Sequence, residues 1–156
     1  SGVSTTPSIS SNEVLFDSVG WGGENIHRDF TESIATWEVD FTPVSQSAGD
    51  HVSFTALTTF HDLSGAEIGR IMYFHHDTAY SCAAPTTTSY CVETMADPAF
   101  DNVPRHFSIP VASILSNDLT GINPADIEFT RVSLYNHSGW NGNYAIATAD
   151  NVRVLF

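Results

Sequence analysis

The chain has 156 residues, with 18 acidic side chains against five arginines and no lysine, for a formal net charge of −13. Lys and Arg dominate contacts to nucleic-acid phosphates and to anionic lipid, so this composition excludes both as partners and leaves neutral ligands and cations. The length suits one domain with one core, the 42% hydrophobic content excludes a disordered chain, and no apolar run is long enough to span a bilayer.

Residues 1–12, within SGVSTTPSISSNE, read as a Ser/Thr/Pro linker or an expression remnant ahead of one β-sandwich domain at 13–156. The stretch lacks the basic and apolar regions of a signal peptide. EVLFDSV is the first expected strand, and the loop VGWGGEN carries Trp21. TWEVDFTP alternates, with Trp37, Val39 and Phe41 facing a core and Glu38 and Asp40 facing out. HVSFTALTTFHD alternates over a longer span, with Val52, Phe54, Ala56, Thr58 and Phe60 on one face. DLSGAEIG supplies a turn from Asp62 to Gly65, and EIGRIMYFHH returns as the hairpin partner, apolar on both faces.

Residues 77–104 lack periodicity and form a long excursion, a kind of segment that often carries function. Cys82 and Cys91 lie in it with eight residues between them. No CxxC partner accompanies them, so a disulfide closing a surface loop is expected over a zinc site. Such a bridge contributes about 2–3 kcal/mol and places the protein outside the reducing cytosol. RHFSIPV resumes a strand, and SILSNDL and NPADI form helical turns, the second with Asn123 as cap and Pro124 at its first position. EFTRVSLYNH and DNVRVLF are the last strands. Short strands at about ten-residue spacing, with no long 3.6 period, define an all-β antiparallel sandwich or barrel.

Four groups of residues can carry chemistry. Sugar rings offer an apolar face and a rim of hydroxyls, so flat aromatic side chains beside planar polar groups suit them. Tyr135, Trp140, Trp21 and Tyr73 are the stacking candidates, and Arg131, His75, Asn141 and Asn143 the hydroxyl partners. The plainer role for each Trp is capping the core, as alternation assigns to Trp37. Tyr80 and Tyr90 line a site or pack the cysteine loop. Glu38 and Asp40 share a strand face about 7 Å apart, within reach of a glycosidase pair, although an acidic outer face is the ordinary reading. His75 and His76 are adjacent on a strand, point to opposite faces and cannot both ligate one metal without a bend. Asp150 shares parity with Val152 and Val154, so it is expected on the core side, where a carboxylate needs a partner. That partner is the backbone N–H groups of a turn, an Arg or a cation; calcium, an oxygen-seeking ion, would take Asp17 or Glu13 as a second ligand.

The ending ATADNVRVLF, after the Trp-containing loop SGWNGN, resembles the final strand of jelly-roll carbohydrate-binding modules, which are joined by Ser/Thr-rich linkers to secreted polysaccharide-degrading enzymes. SGVSTTPSISSNEVLFDS looks like such a linker entering a first strand, and TALTTFHDLSGAEIGRIMYF like a hairpin of that family. The resemblance implies a jelly-roll β-sandwich, secretion, a polysaccharide partner, a covalently linked catalytic domain and a structural calcium near Asp150. The resulting expectation is a module that binds polysaccharide without being an enzyme. Two alternatives stand beside it: a small jelly-roll glycoside hydrolase or polysaccharide lyase using Glu38, Asp40 or a His–Tyr pair, and an adhesion module of a surface protein.

Overall fold

The computed structural model describes residues 8–10, 13–19, 22–47, 51–78, 80–139 and 144–156. The strands are β1 (Ser8–Ser10), β2 (Glu13–Val19), β3 (Gly22–Phe30), β4 (Thr36–Gln46), β5 (Val52–His61), β6 (Glu67–His76), β7 (Ser89–Met95), β8 (Arg105–Ile109), β9 (Phe129–Ser138) and β10 (Tyr144–Leu155). One sheet has the order β1-β2-β10-β4-β8 and the other β3-β9-β5-β6-β7. Every pairing is antiparallel except β6 with β7, which run parallel. The chain is thus an all-β sandwich, one of the two forms the strand spacing predicts, and of the jelly-roll type that the resemblance implies.

The inward face of β4 explains the packing. Trp37, Val39 and Phe41 alternate with half-exposed Glu38 and Asp40 and are buried. Phe41 stacks on Phe54 of the second sheet at 4.4 Å between centroids, and Phe16 meets Phe54 edge-on at 5.8 Å. The buried Trp37 indole donates from Nε1 to Thr58 Oγ1 at 2.7 Å, so its polar atom costs nothing on burial. The helix α1 (Val111–Asn117) adds Val111 and Ile114 to this core. The turn after β5 forms as expected: Asp62 Oδ1 accepts from the Ser64 and Ala66 N–H groups, and Gly65 takes a φ of 81°. Asn123 also caps its short helical turn, accepting from the Ala125 N–H ahead of Pro124.

Four features depart from the sequence expectations. Ser8–Ser10, inside the stretch read as linker, form β1 against β2. The strand β3 has no apolar alternation in GGENIHRDF, because a buried carboxylate takes an inward place: Glu24 is buried and accepts the Asp17 N–H at 2.7 Å. The aperiodic excursion contains β7, whose parallel pairing follows from the chain crossing back before it enters. On β10 the parity argument fails. A register shift between Asp150 and Arg153, with Asn151 at φ 48°, turns the strand over. Val154 pairs with Trp37 on the core side, whereas half-buried Asp150 shares the outward side with Thr148 and pairs with Asp40. The expectation that Asp150 faces the core is therefore corrected by a bulge.

Candidate functional site

The outward face of the second sheet places the chemistry. In register from β3 to β7, one row holds Asn25, Tyr135, Thr55, Phe74 and Glu93. The row above it holds Gly23, His137, Ser53 and His76, and the row below His27, Ser133, Leu57, Met72 and Cys91. Ser53 and Thr55 on the central strand are small and buried, flanked by taller rings on both sides. Tyr80 touches both His137 and His76, the two cross-strand neighbours of Ser53, so this part of the face is closed over, and Asn25, Tyr135 and Glu93 are its more open members.

Ring contacts tie the upper part of this face into one cluster. Tyr135 stacks beside His137 at 5.8 Å, His137 meets Tyr80 edge-on at 6.2 Å, and Tyr80 meets Phe74 at 5.7 Å. Phe74 stacks on His76 at 4.5 Å. His76 is 1% exposed and lies with its Nε2 3.4 Å from Oε2 of Glu93, which is 44% exposed. The cluster ends on a carboxylate open to solvent. Tyr135 has its place because β3 presents Gly23 beneath it: a Cβ there would stand 2.2 Å from the Tyr135 hydroxyl.

The protonation states follow from burial and neighbours. Burial first, and the nearby Asp77 carboxylate second, push the Tyr80 phenol up to about 12, so it keeps its proton at neutral pH. Burial lowers the His137 pKa and His51 lowers it further, so its imidazole is neutral. The Tyr80 hydroxyl donates to the His51 carbonyl at 3.4 Å and lies 3.1 Å from His137 Nδ1, which ties the two rings together. Burial also raises the Tyr135 phenol. The Nδ1 of His76 donates to the Asp77 carbonyl, which cannot donate back. Its Nε2 makes no hydrogen bond among the described residues and lies 3.4 Å from Oε2 of Glu93.

The sequence candidates fall into three sets. Tyr135 and Arg131 stand on this face, two rows apart on β9. Arg131 makes a two-pronged ion pair with Asp29 at 2.7 and 2.9 Å, which raises the Arg131 pKa and lowers that of Asp29. Trp21, Trp140, Asn141 and Asn143 lie outside the described residues. Tyr73 and His75 are corrected, because both point between the sheets. Tyr73 meets Phe107 of the first sheet edge-on at 5.7 Å. The buried His75 donates from Nε2 to the Ala99 carbonyl at 2.7 Å, its Nδ1 lies 3.0 Å from Thr94 Oγ1, and burial lowers its pKa. With both nitrogens engaged it has nothing to offer a ligand.

Glu38 and Asp40 are on the outward face of the first sheet, away from the ring cluster. Asp40 is bonded to His106 at 2.7 Å and to Asn151 at 2.9 Å, and these contacts lower its pKa in that order. Of the second ligands named for calcium, Asp17 is not brought to Asp150, whereas Glu13 follows in register beyond the Ala149–Val14 pair. Asp17 pairs with Ile146, four residues along β10 from Asp150, a separation of about 13 Å. No group of three His, Cys, Asp or Glu side chains able to hold a metal occurs among the described residues. Cys82 and Cys91 form the expected disulfide, with Cα atoms 5.8 Å apart.

Sequence reasoning missed His137, Tyr80 in its bridging role, and Glu93. His137 had a signal, since it shares parity with Tyr135 two residues earlier. Two other grooves are less suited to a sugar chain. One, of about 910 Å³, is bordered by Asp62, Ser64, Asn123 and Asp126 and has no aromatic lining residue. The other, of about 720 Å³, opens between the sheets beside Val14, Ile26, Leu134 and Val154 and is mainly apolar.

No family model and no curated protein matches the sequence. Among solved structures, the chain is similar to the xyloglucanase domain of NopAA, a type three effector from Sinorhizobium fredii, in complex with cellobiose. The identity is 14%, the match covers 96% of this chain and 85% of that one, and the TM-score is 0.54. At that identity the likeness establishes the shared fold. The expectation of a module that is not an enzyme is corrected to this extent: a solved domain that shares this fold is a xyloglucanase domain.

Proposed function

We propose that this protein is a glycoside hydrolase that lays a neutral glucan across the outward face of the second sheet and cleaves it beside Glu93. The observation that carries this reading is the run of ring contacts from Tyr135 through His137, Tyr80, Phe74 and His76 to a half-exposed carboxyl. The likeness to a xyloglucanase domain supports it. Five strands at about 4.8 Å spacing give a row of about 19 Å, enough for a short run of sugar rings.

Tyr135 supplies a flat face for stacking, while the His137 imidazole and the Asn25 amide supply hydrogen bonds to hydroxyls. Hydrolysis breaks the bond between C1 and the bridging oxygen, protonates the departing oxygen and adds water at C1. Glu93 is the group placed to hand its proton to the departing oxygen, and the carboxylate left behind takes the proton lost by the water that adds at C1. The net charge of −13 favours an uncharged substrate over a polyuronate. A lyase would need Tyr80 or His137 as a base, and a phenol raised to about 12 serves instead as a donor. The disulfide supports action outside the reducing cytosol. Chemistry on this chain also removes the need for a linked catalytic domain.

The test is release of reducing ends from xyloglucan, cello-oligosaccharides and other neutral glucans. Wild type is expected to turn over at least one of them, and Glu93→Gln to lower kcat about 100-fold or more with KM little changed. No product from any of these glucans, or full activity in Glu93→Gln, would remove the proposal.

A further inference from the structure

Glu93 is held by more than its own strand. Its Oε2 accepts the Cys82 backbone N–H at 2.6 Å, and His76 Nε2 lies 3.4 Å from the same oxygen. Oε1 makes no hydrogen bond among the described residues. One oxygen is therefore held by the Cys82 N–H, with the His76 ring beside it, and the other is left for a ligand. Cys82 belongs to the segment returning from β6 to β7, and no strand or helix pairing holds its N–H in place. The disulfide does so. Cys91 is two residues before Glu93 on β7 and shares its outward parity, and the bond to Cys82 anchors the returning segment directly beside the carboxyl.

We infer that the Cys82–Cys91 disulfide is a positioning element for Glu93, keeping the Cys82 N–H on Oε2 so that Oε1 is presented to the glycosidic oxygen. This rests on the hydrolase reading for its consequence, and on the hydrogen bond alone for its geometry. A bridge that only staples a surface loop would affect stability and leave the carboxyl's orientation to its rotamers. A bridge that sets the carboxyl's orientation affects the chemical step, because misplacing a reacting group by about 1 Å costs up to about 100-fold in rate.

Two measurements separate these roles and survive failure of the hydrolase reading. The first follows the Cys82 amide proton by NMR in the oxidised protein, the phosphine-reduced protein and the oxidised Glu93→Ala variant. The resonance is expected downfield and protected from exchange in oxidised wild type, and to move upfield and lose protection in both others. The second compares kinetics on the glucan turned over best, in reduced wild type and in the Cys82→Ser/Cys91→Ser double variant. A fall in kcat of about 10- to 100-fold, with KM within about twofold and the near-UV circular dichroism retained, is the result expected. An amide unmoved by reduction or by Glu93→Ala overturns the inference whether or not any glucan is hydrolysed. Unchanged kcat after reduction also overturns it, as does loss of kcat and KM together with loss of the near-UV signal. If the double variant does not fold, Glu93→Ala in the oxidised protein decides alone.

Discussion

Tyr135 and His75 show how much one side chain's facing decides. Tyr135 projects from the outward face of β9 over the bare Cα of Gly23, and is the ring best placed to stack on a sugar. Its removal in Tyr135→Ala is expected to weaken glucan binding by roughly 1–2 kcal/mol, about 5- to 30-fold, on stacking energetics. Gly23→Ala should mimic that loss by displacing the ring. Calorimetric titration with a cello-oligosaccharide checks both; a Gly23→Ala variant that binds like wild type would mean the ring's position is unimportant. His75 belongs to the interior, held by Ala99 and Thr94. The alternation of EFTRVSLYNH made Tyr135 and Arg131 legible in the sequence, because one parity is plainly apolar. Tyr73 and His75 were not legible. EIGRIMYFHH is apolar on both faces, so its periodicity cannot say which side meets the other sheet. Glu93 was hidden for a different reason: it stands in an aperiodic stretch, and its partners come from other elements.

At the level of elements, strands with one buried face declared themselves and those controlled by special contacts did not. The central strand β5, its neighbour β9 and β4 of the first sheet follow from alternation. β3 does not, since its inward positions include Glu24, satisfied by a backbone N–H that only the fold supplies. On β10 a single bulge reverses the facing of the last residues, and with it the argument for a buried Asp150. Asp40 and Asp150 face each other across β4 and β10 there, with His106 and Asn151 already donating to Asp40. Because Asp17 is far along the strand, chelation with EDTA is expected to leave the melting temperature unchanged. A drop of several degrees, reversed by calcium, would show that the acidic strand faces do hold an ion.

The whole molecule is a sandwich whose two sheets share one core and whose second carries the ring cluster, and its stability should report its buried imidazoles. Burial lowers the folded-state pKa of His75 and His137 below their ordinary 6.5. Below that value the unfolded chain takes up protons that the folded chain refuses, so their contribution is complete above about pH 6.5 and is lost as pH falls. Asp101, held at about 2 by its Arg105 ion pair, contributes above its ordinary 3.8 and fails only at far lower pH. The melting temperature should therefore fall between about pH 7 and 5, with a shallower fall in His75→Gln; a flat profile in wild type would contradict the assigned burial. The placement of a glucan on the second sheet is tested most directly by amide chemical-shift mapping of Glu93→Gln titrated with neutral cello- and xyloglucan oligosaccharides. Perturbations are expected at Asn25, Thr55, Phe74, Glu93, Tyr135 and His137, in saturable fashion. Perturbations centred instead on Asp40, His106 and Asp150 of the first sheet, or none with any of these sugars, would contradict the account.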